Sequence, residues 1–572
     1  MSQESQEPYP SSPSEDESDT DSSRSFVTVP QTLAESIQLE GLLQHMQNDE
    51  FCELLRQYPE FRRESCHPFD NDRFDSIPQN LAKMPMEKRY LTKGQLIAMD
   101  QWMRKQGIPL DHKKHKQRTA EIERNRWQNI ESITKRAFTC YGAGVTDTAE
   151  SGDNAELAWE AMGILQRLRG IDESRACLLL SVAFPKTVPF CSNAMFRWVH
   201  GVQGNDDDSP WPQDKNDYTA IFRDTERIRH QFTRTIGNAT EEVLAVDVEK
   251  VAFVLERMAK IEAFRKPWIT EGLISSGNEI GSGAFGKVYR VSSRSSRDRP
   301  DTVAVKAIRA SQHEPGEEDI PRGKILNEIL ISNQVAERSP QHFVKSFGWN
   351  ENPRDGCYYL AMEHVAHGDL ETVLKAPNLQ WSEKTVRSIA RQILEGLDCM
   401  HRELITHRDL KPQNILVSSL LEGDVRVKIA DFGISKMLSH RGTTGFRTAI
   451  GTEGYKAREV LKSYDSQDRR IPGYSYLPNV DVWSLSCILF RIVKGSPLFR
   501  RDHLVTDKPV LKSTVKSVPK ELRNSRINIS ESGIRFIQAL MVIKPEKRPH
   551  AKQALSALEK WGIDGEEGLT DV

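Results

Sequence analysis

Two short polar segments in the second half of the chain carry the residue types that phosphoryl transfer requires. Asp409, Lys411 and Asn414 fall within residues 407–414, and Asp431 follows a strand-like stretch. A carboxylate at Asp409 can orient a hydroxyl and accept its proton, while Lys411 can reach the transferring group. Asn414 and Asp431 supply the oxygen ligands that Mg²⁺ prefers. Together these residues predict transfer of a phosphoryl group to a hydroxyl.

A glycine-rich segment upstream has the spacing of a loop that covers nucleotide phosphates. Its residues are Ile280, Gly281, Ser282, Gly283, Ala284, Phe285, Gly286, Lys287 and Val288. Glycines let the backbone come close to phosphate oxygens and form a tight hairpin. A dinucleotide-binding fingerprint would continue as a helix, whereas residues 288–291 favour a strand. The segment therefore predicts a phosphate loop between two strands.

The next strand-like run ends in a lysine, Lys306, that could contact the same phosphates. Its neighbour Ala304 is apolar and could cover an adenine ring. Glu328 lies in a later stretch with helical spacing, and it is the first candidate to hold Lys306 on the α- and β-phosphates. Glu317 and Glu318 are the nearest rivals for that role.

In this order, the glycine loop, lysine strand, helix glutamate, catalytic loop and metal-binding aspartate resemble the eukaryotic protein kinase superfamily. The resemblance covers residues 269–562, about half of the chain. It implies an α+β fold, with a bilobal kinase domain whose small β-rich lobe precedes a large helical lobe. It also implies an ATP-dependent enzyme that uses Mg²⁺, with Mn²⁺ as a substitute, and acts on protein substrates in signalling.

The resemblance implies roles for further residues of the second half. They are Met362 as gatekeeper, Glu363 and Val365 in the adenine-binding hinge, Leu416 in the ATP site, Asp369 on the ribose, Asp481 beneath the catalytic loop, and Glu459 paired with Arg548. One departure concerns Arg458, which stands where the family has a proline. We expect a modest loss of rigidity there rather than inactivity.

The type of acceptor hydroxyl and its control are also implied by the resemblance. Lys411 and Thr452 match the serine/threonine version of the site, and Thr452 is predicted to hydrogen-bond Asp409 and Lys411. Arg408 favours an anion, which a phosphorylated threonine would provide. Thr448 is the first choice for that threonine and Thr444 the second. An upstream kinase or a second copy of the chain would add the phosphate; that these threonines are solvated loop hydroxyls stays open.

The first half of the chain gives weaker signals. Residues 1–24 are rich in Ser and acidic residues and are expected to be disordered, 25–265 are predicted to form a mostly α-helical domain of unknown role, and 563–572 a flexible tail. Residues 165–176 are similar to the helix-hairpin-helix of DNA-glycosylase-like proteins. Asp172 replaces a hairpin glycine and Asn193 falls near the usual catalytic aspartate, so protein contacts or plain packing are favoured over DNA binding.

Composition restricts where the protein acts and what it binds. Lys and Arg total 79 against 81 Asp and Glu, so no global charge attracts nucleic acid or membrane. The eight cysteines include no Cys-x-x-Cys pair, and neither a secretory signal nor a membrane span is found. We therefore expect a cytoplasmic or nuclear protein that is not secreted. A pseudokinase scaffold and a nucleic-acid-associated kinase remain as alternatives.

Overall fold

The structure, a computed structural model, describes most of the 572-residue chain. The described residues are 46–61, 67–105, 112–145, 151–200, 214–236, 239–275, 277–283, 286–292, 301–309, 322–352, 356–376, 381–403, 405–421, 424–431, 454–461, 478–500 and 507–562. Several predicted features lie outside them: Ala284, Phe285, Glu317, Glu318, Thr444, Thr448, Thr452 and both terminal tails.

The first half is mainly helical, as its apolar periodicity predicted. The helices are α1 (Asn48–Phe61), α2 (His67–Asn71), α3 (Ile77–Ala82), α4 (Lys93–Lys105), α5 (His112–Glu123), α6 (Trp127–Gly144), α7 (Ser151–Leu165), α8 (Glu173–Ala183), α9 (Asn193–His200), α10 (Lys215–Gln231) and α11 (Ala245–Ala263). A short antiparallel hairpin of β1 (Thr233–Ile236) and β2 (Ala239–Glu242) precedes α11. The periodicity did not indicate this hairpin.

The interior of this helical domain contains buried ionic groups. Arg73 is fully buried and donates from Nη2 to Ser181 Oγ (2.9 Å) and Glu249 Oε2 (3.1 Å). A second buried pair joins Arg175 Nε to Asp100 Oδ1 at 2.8 Å. Buried charges persist only when they are paired, because removing one partner leaves the other desolvated and unsatisfied. These pairs therefore fix how the helices of the domain meet.

The hairpin between α7 and α8 has one position that requires glycine. Gly170 has a φ of +77°, and a Cβ there would lie 2.6 Å from the carbonyl oxygen of Arg118. Asp172 instead has extended backbone and caps α8, where its side chain accepts from the backbone N–H of Arg175. Its carboxylate also pairs with the side chains of Arg118 and Arg175. Asp172 thus acts as a helix cap with ordinary backbone, and its ion-paired carboxylate occupies the position of the hairpin glycine.

The small lobe of the second half is a five-stranded antiparallel sheet. It begins after a short helix, α12 (Glu271–Ser275), and its strands are β3 (Asn278–Gly283), β4 (Gly286–Ser292), β5 (Thr302–Arg309), β6 (Ser346–Asn352) and β7 (Cys357–Glu363), in the order β3-β4-β5-β7-β6. The helix α13 (Arg322–Arg338) lies between β5 and β6 in the chain. Alternating β-branched residues in β5 explain its central place in the sheet.

The large lobe is helical apart from one hairpin. Its elements are α14 (Leu370–Leu374), α15 (Glu383–Arg402), β8 (Ile415–Leu421), β9 (Asp424–Ile429), α16 (Arg458–Leu461), α17 (Val480–Lys494), α18 (Lys508–Arg523), α19 (Glu531–Leu540) and α20 (Ala551–Leu558). Helix α17 is buried from Val480 to Val493 and forms the centre of the lobe's core. The predicted order of a small β-rich lobe before a large helical lobe is confirmed.

The helical domain and the small lobe share one continuous apolar core. Helix α13 and the sheet contribute to it beside the helices of the first half, through residues that include Ile325, Ile329, Trp349 and Leu360. Trp349 on β6 is fully buried and donates from Nε1 to the carbonyl oxygen of Ile261 (2.8 Å) at the end of α11. None of the helices in the described ranges is both long and apolar enough to span a bilayer.

Candidate active site

Residues 407–414, which contain Asp409, Lys411 and Asn414, are called the catalytic segment. The start of this segment is hydrogen-bonded to a buried carboxylate, Asp481, in the first turn of α17. Its Oδ2 accepts from the backbone N–H of His407 (2.8 Å) and lies 2.9 Å from His401 Nε2, while Oδ1 accepts from the backbone N–H of Arg408 (2.8 Å). Burial alone would raise the pKa of Asp481, but the hydrogen bonds from His401 and from the backbone hold it below its usual value. The ionised carboxylate of Asp481 thus fixes the backbone conformation of His407 and Arg408, directly before Asp409.

Asp409, Lys411 and Asn414 meet at the surface of the large lobe. Lys411 Nζ lies 2.8 Å from Asp409 Oδ2, and Asn414 Nδ2 donates to the backbone oxygen of Asp409 (2.8 Å). Burial would raise the pKa of Asp409, but the charges of Lys411 and Lys456 lower it below its usual value. Asp409 is therefore an ionised acceptor at neutral pH. Because the amide nitrogen of Asn414 is engaged, its oxygen is the atom left to meet a cation.

Two non-glycine residues of the site have left-handed backbone. Arg408 has a φ of +69° and Asp431 a φ of +57°. Such conformations cost roughly 1–3 kcal/mol each and persist only where the surroundings enforce them. At Arg408 the enforcing groups are the hydrogen bonds to Asp481. The surroundings of the site therefore hold Arg408 and Asp431 in strained backbone, directly beside and at the two carboxylates of the site.

Lys306 from the small lobe meets Asp431 from the large lobe. Lys306 Nζ lies 2.6 Å from Asp431 Oδ1, and the exposed fractions of the two side chains are 6% and 39%. Burial would raise the pKa of Asp431, but the charge and hydrogen bond of Lys306 lower it below its usual value. The most exposed group of the pair is an ionised carboxylate, which suits it to bind a cation.

The strand register shows which face of the sheet carries Lys306. Lys306 pairs with Leu360 in β7, and Ala304 pairs with Met362. Since alternate residues share a face, Lys306 lies on the same side of β5 as Ile308, and Ile308 belongs to the same apolar cluster as Ile325 and Ile329 of α13. Glu328 lies on α13, but its side chain is outside the described part of the structure. The contact between Lys306 and Glu328 therefore stays a prediction.

The predicted phosphate loop is a hairpin between β3 and β4. Gly281 pairs with Val288, Ser282 with Lys287, and Gly283 with Gly286. Gly286 has a φ of +141°, and a Cβ there would lie 1.8 Å from the carbonyl oxygen of Ala307. Only glycine fits at this position. Ile280, on the same hairpin, is 50% exposed although it is a large apolar side chain, which suits it to contact a ligand.

A small apolar cluster lies next to the end of β7, where the two lobes meet. Val344, Val365 and Ala430 form its buried part, and Met362 and Leu416 pack against them. These residues come from both lobes and include the predicted gatekeeper and a predicted hinge residue. Their apolar side chains are of the kind that an adenine ring requires.

The hinge and the predicted ribose contact are both anchored by hydrogen bonds. Lys428 Nζ on β9 binds Glu363 at 2.7 Å (Oε2) and 2.9 Å (Oε1). Asp369 caps α14, accepting from the backbone N–H of Thr372 (2.9 Å) and from its hydroxyl (2.9 Å). A carboxylate has about four acceptor sites, so Asp369 keeps capacity for a sugar hydroxyl.

The far side of the large lobe contains the predicted brace. Arg548 Nη1 lies 2.5 Å from Glu459 Oε1, and its guanidinium stacks 5.3 Å from the ring of Trp483. Arg458, in place of the family's proline, is the first residue of α16. The helix therefore forms without a proline, and the ion pair is present beside it.

The donor set for a metal consists of two side chains. Among the described residues, no group of three or more His, Cys, Asp or Glu side chains could enclose a metal ion. Asn414 and Asp431 fit Mg²⁺ in the way nucleotide sites do, because this ion keeps several waters and takes other ligands from phosphates. The residues present therefore suit a nucleotide-bound ion rather than a resident one.

Several contributors to the site were not singled out from the sequence. His401 contacts Asp481 from α15, Lys456 lowers the pKa of Asp409, and Lys428 holds the hinge glutamate. His407 Nε2 lies 2.9 Å from the carbonyl oxygen of Ala430, which links the catalytic segment to the strand before Asp431. Only His407 had a signal, its place beside Arg408; the others have no spacing that marks them.

Comparisons with known proteins identify the family. The protein kinase domain model matches residues 274–558. The chain is 31% identical over 289 residues to a probable myosin light chain kinase of Dictyostelium discoideum, covering 50% of this chain and 66% of the relative. It is 35% identical to the serine/threonine-protein kinase cds1 of Schizosaccharomyces pombe, covering 35% of this chain and 41% of the relative.

A third relative is matched over more of its length. The chain is 33% identical to a cyclin-dependent kinase 4 homolog of Caenorhabditis elegans, covering 48% of this chain and 68% of the relative. Among solved structures, the crystal structure of Rad53 1–466 in complex with AMP-PNP shares 26% identity, with 54% of this chain and 69% of that chain covered and a TM-score of 0.36. The chain spans less than two thirds of the length of the first two relatives.

The chain belongs to the protein kinase family.

Proposed function

We propose that this chain is a serine/threonine protein kinase that transfers the γ-phosphoryl group of ATP to protein hydroxyls with Mg²⁺. The observation that carries the proposal is the pair of ionised carboxylates, Asp409 and Asp431, each held by a lysine on the cleft side. The similarity to the serine/threonine-protein kinase cds1 supports the choice of acceptor. Lys411 belongs to the version of the catalytic segment that such kinases carry.

Each residue has a task that its surroundings suit. Asp409 is ionised and accepts the proton of the incoming hydroxyl, while Lys411 beside it neutralises charge on the transferring group. Lys306 is buried and positive, and it moves from Asp431 to the α- and β-phosphates when nucleotide enters. Asn414 and Asp431 would hold Mg²⁺, which would supply positive charge to neutralise the phosphates of the nucleotide. Asp481 fixes the segment and does not touch the substrate.

Control by phosphorylation is a second part of the proposal. Arg408 adjoins Asp409 through strained backbone, and a phosphate on Thr448 or Thr444 would give its guanidinium a charge-assisted hydrogen bond. Both threonines lie outside the described residues. Replacing both by alanine should lower the activity of autophosphorylated enzyme to that of phosphatase-treated enzyme. Full activity in that double variant would refute this part and leave the transferase assignment intact.

Transfer of radiolabelled phosphate from ATP to a generic protein acceptor tests the main assignment. Full-length Asp409→Asn should bind ATP normally but transfer about 10²–10⁴-fold more slowly, because it lacks the general base. Asp431→Asn should lose Mg²⁺-dependent nucleotide binding as well.

The matched control is Asp424→Asn, an exposed aspartate on the β8–β9 hairpin that pairs with Arg426. It should transfer phosphate at the wild-type rate. Nucleotide binding without any transfer by wild type would favour a pseudokinase scaffold instead. Folded, metal-supplied wild type that neither binds ATP nor labels any protein would refute the assignment altogether.

A further inference from the structure

Helix α13 buries residues on two of its faces, whereas a helix at the edge of a lobe usually buries one. Its buried residues are Gly323, Ile325, Leu326, Asn327, Ile329, Leu330, Ile331, Ser332, Asn333, Val335 and Ala336. A surface helix normally buries one apolar stripe and exposes the other. Here one stripe joins the core of the small lobe and the helical domain, and another joins the core of the large lobe.

The first half of the chain contacts the N-terminal turn of α13 directly. Glu60, near the end of α1, accepts through Oε2 from the backbone N–H of Gly323 at 3.1 Å. That N–H belongs to the first turn, whose donors have no partner within the helix. A carboxylate there also interacts favourably with the positive end of the helix dipole. Glu60 therefore serves as a cap for α13 that comes from another domain, 263 residues away in the chain.

The approach at this point is so close that an added side chain would displace Glu60 or Phe61. A Cβ on Gly323 would lie 2.6 Å from Glu60 Oε2 and 2.8 Å from Cε2 of the buried ring of Phe61. Both distances are shorter than real Cβ contacts. The end of α1 therefore abuts the backbone of α13 without an intervening side chain.

The same helical domain is also fixed to the sheet that carries Lys306. The backbone N–H of Lys266 donates to the carbonyl oxygen of Trp349 (2.8 Å), and that of Trp349 donates to Phe264 (3.2 Å). Arg265 Nε donates to Asn350 Oδ1 (3.1 Å) and its guanidinium lies 5.4 Å from the Trp349 ring. Residues 264–266, which follow α11, thus pair with β6 and leave little freedom between the helical domain and the sheet.

We propose that the helical domain is a built-in clamp for α13, in which Glu60 is a positioning residue for the phosphotransfer site. The domain is attached to the sheet at Trp349 and to α13 at Gly323, so it sets the helix relative to the strand of Lys306. Glu328, one residue before Ile329 on that helix, is placed by the same contact. This inference rests on the proposed function, because the position of α13 relative to Lys306 affects phosphotransfer only if Lys306 binds the phosphates of the nucleotide.

Full-length Glu60→Ala tests the clamp against mere packing. It should lower kcat about tenfold, because a hydrogen bond to a charged group is worth roughly one power of ten or more. KM for ATP should change much less than kcat, and Glu60→Gln, which can still accept from Gly323, should restore most of the rate. Glu53→Ala on the same helix is the control, since Glu53 pairs only locally with Arg56 and Gln57 in the described structure.

Hydrogen exchange of the α13 amides gives a readout that needs no catalysis. In Glu60→Ala the amides of the first turn should exchange about tenfold faster than in wild type, and in Glu53→Ala at the wild-type rate. This arm keeps the clamp testable even if the proposed transferase activity fails. Unchanged exchange overturns the clamp. Faster exchange with unchanged or increased kcat overturns the positioning role.

Gly323→Ala provides a second variant that keeps Glu60 in place. The added Cβ should push the end of α1 away and lower kcat as Glu60→Ala does, with less than additive loss in the double variant. Gly163→Ala in α7 is the matched control, because a Cβ there meets nothing within 4 Å. Wild-type kcat in folded Gly323→Ala would contradict the proposal.

Discussion

At the scale of single residues, charge and burial together decide which carboxyl groups of the site are ionised. Burial alone would raise the pKa of Asp409, Asp431 and Asp481, yet all three have pKa values below the usual range, because each is offset by a lysine, a histidine or backbone N–H groups. The stability they contribute is present above the pKa of the unfolded chain and is lost as pH falls through the lower folded value. These carboxylates therefore stay ionised throughout the neutral range.

Glu249 in the helical domain has the opposite behaviour and gives a prediction about pH. Burial raises its pKa to about 7 despite the nearby charge of Arg73. The folded state then holds the proton more tightly than the unfolded state, so its stability contribution is full below the unfolded value near 4.5 and is lost as pH rises to about 7. In Glu249→Gln this loss should vanish.

Denaturant unfolding of wild type and Glu249→Gln at several pH values measures the difference. The free energy of unfolding of wild type relative to the variant should fall between pH 4.5 and 7 by roughly 3 kcal/mol at most, since one pKa unit is about 1.4 kcal/mol. Above pH 7 the difference should be constant. Asp224→Asn is the control, because Asp224 pairs with Arg227 in a partly exposed position. Its plot of unfolding free energy against pH should run parallel to that of wild type. A difference independent of pH would contradict the assignment of the shift.

At the scale of elements, the tightest constraint lies in the phosphate hairpin. A Cβ at Gly286 would overlap the carbonyl oxygen of Ala307, and the φ of +141° is closed to other residues. Gly286→Ala must therefore displace β4 from β5 locally. We expect KM for ATP to rise about tenfold or more, since such a misfit commonly costs over 1 kcal/mol. Titration with a fluorescent ATP analogue measures the affinity directly.

The control for that prediction again uses a glycine with space around it. Gly163→Ala adds the same methyl group to a helix interior where nothing lies within 4 Å, so it should leave nucleotide affinity unchanged. If Gly286→Ala bound the analogue as tightly as wild type, the hairpin would not be the phosphate loop. Circular dichroism would exclude a simple loss of folding.

Local patterns in the sequence were sufficient for the elements whose residues alternate or recur regularly. The strand favoured at 288–291 lies within β4, the strand-like run that ends at Lys306 lies within β5, and the helical stretch that contains Glu328 is α13. The short hairpin of β1 and β2 was missed, because its four-residue strands are polar and mostly exposed, and they give no alternation. Candidate catalytic residues were predicted for a related reason, because the roles assigned to them require fixed spacing within one segment.

What the sequence could not provide are contacts between segments far apart in the chain. Glu60 and Gly323, or Ile261 and Trp349, carry no mark of their pairing, since each residue fits an ordinary helix or strand by itself. The same holds for His401 beneath the catalytic segment. Tertiary packing selects these pairs, and no local periodicity encodes them.

At the scale of the whole molecule, the shared core means that the helical domain and the small lobe should respond together. Trp349 is fully buried between α11 and the sheet, and its indole donates to Ile261. A ligand that binds only the folded state stabilises it by about 2.7 kcal/mol at one hundred times its dissociation constant. If the core is continuous, part of this stabilisation should reach the amides of α11, far from the nucleotide.

Hydrogen exchange with and without ATP and Mg²⁺ tests this coupling in the full-length chain. Wild type should show slower exchange in α11 when nucleotide is bound. Trp349→Phe should lose most of that protection, because it removes the hydrogen bond from the indole to Ile261 and part of the packing. These losses together cost roughly 1–3 kcal/mol. Trp127→Phe is the control, since that indole is 63% exposed on α6 and should keep the protection. If nucleotide left the exchange rates of the α11 amides unchanged in wild type, the shared core would not carry stabilisation from the nucleotide site to α11. Protection that survives in Trp349→Phe would instead place the coupling at the contact between Glu60 and α13.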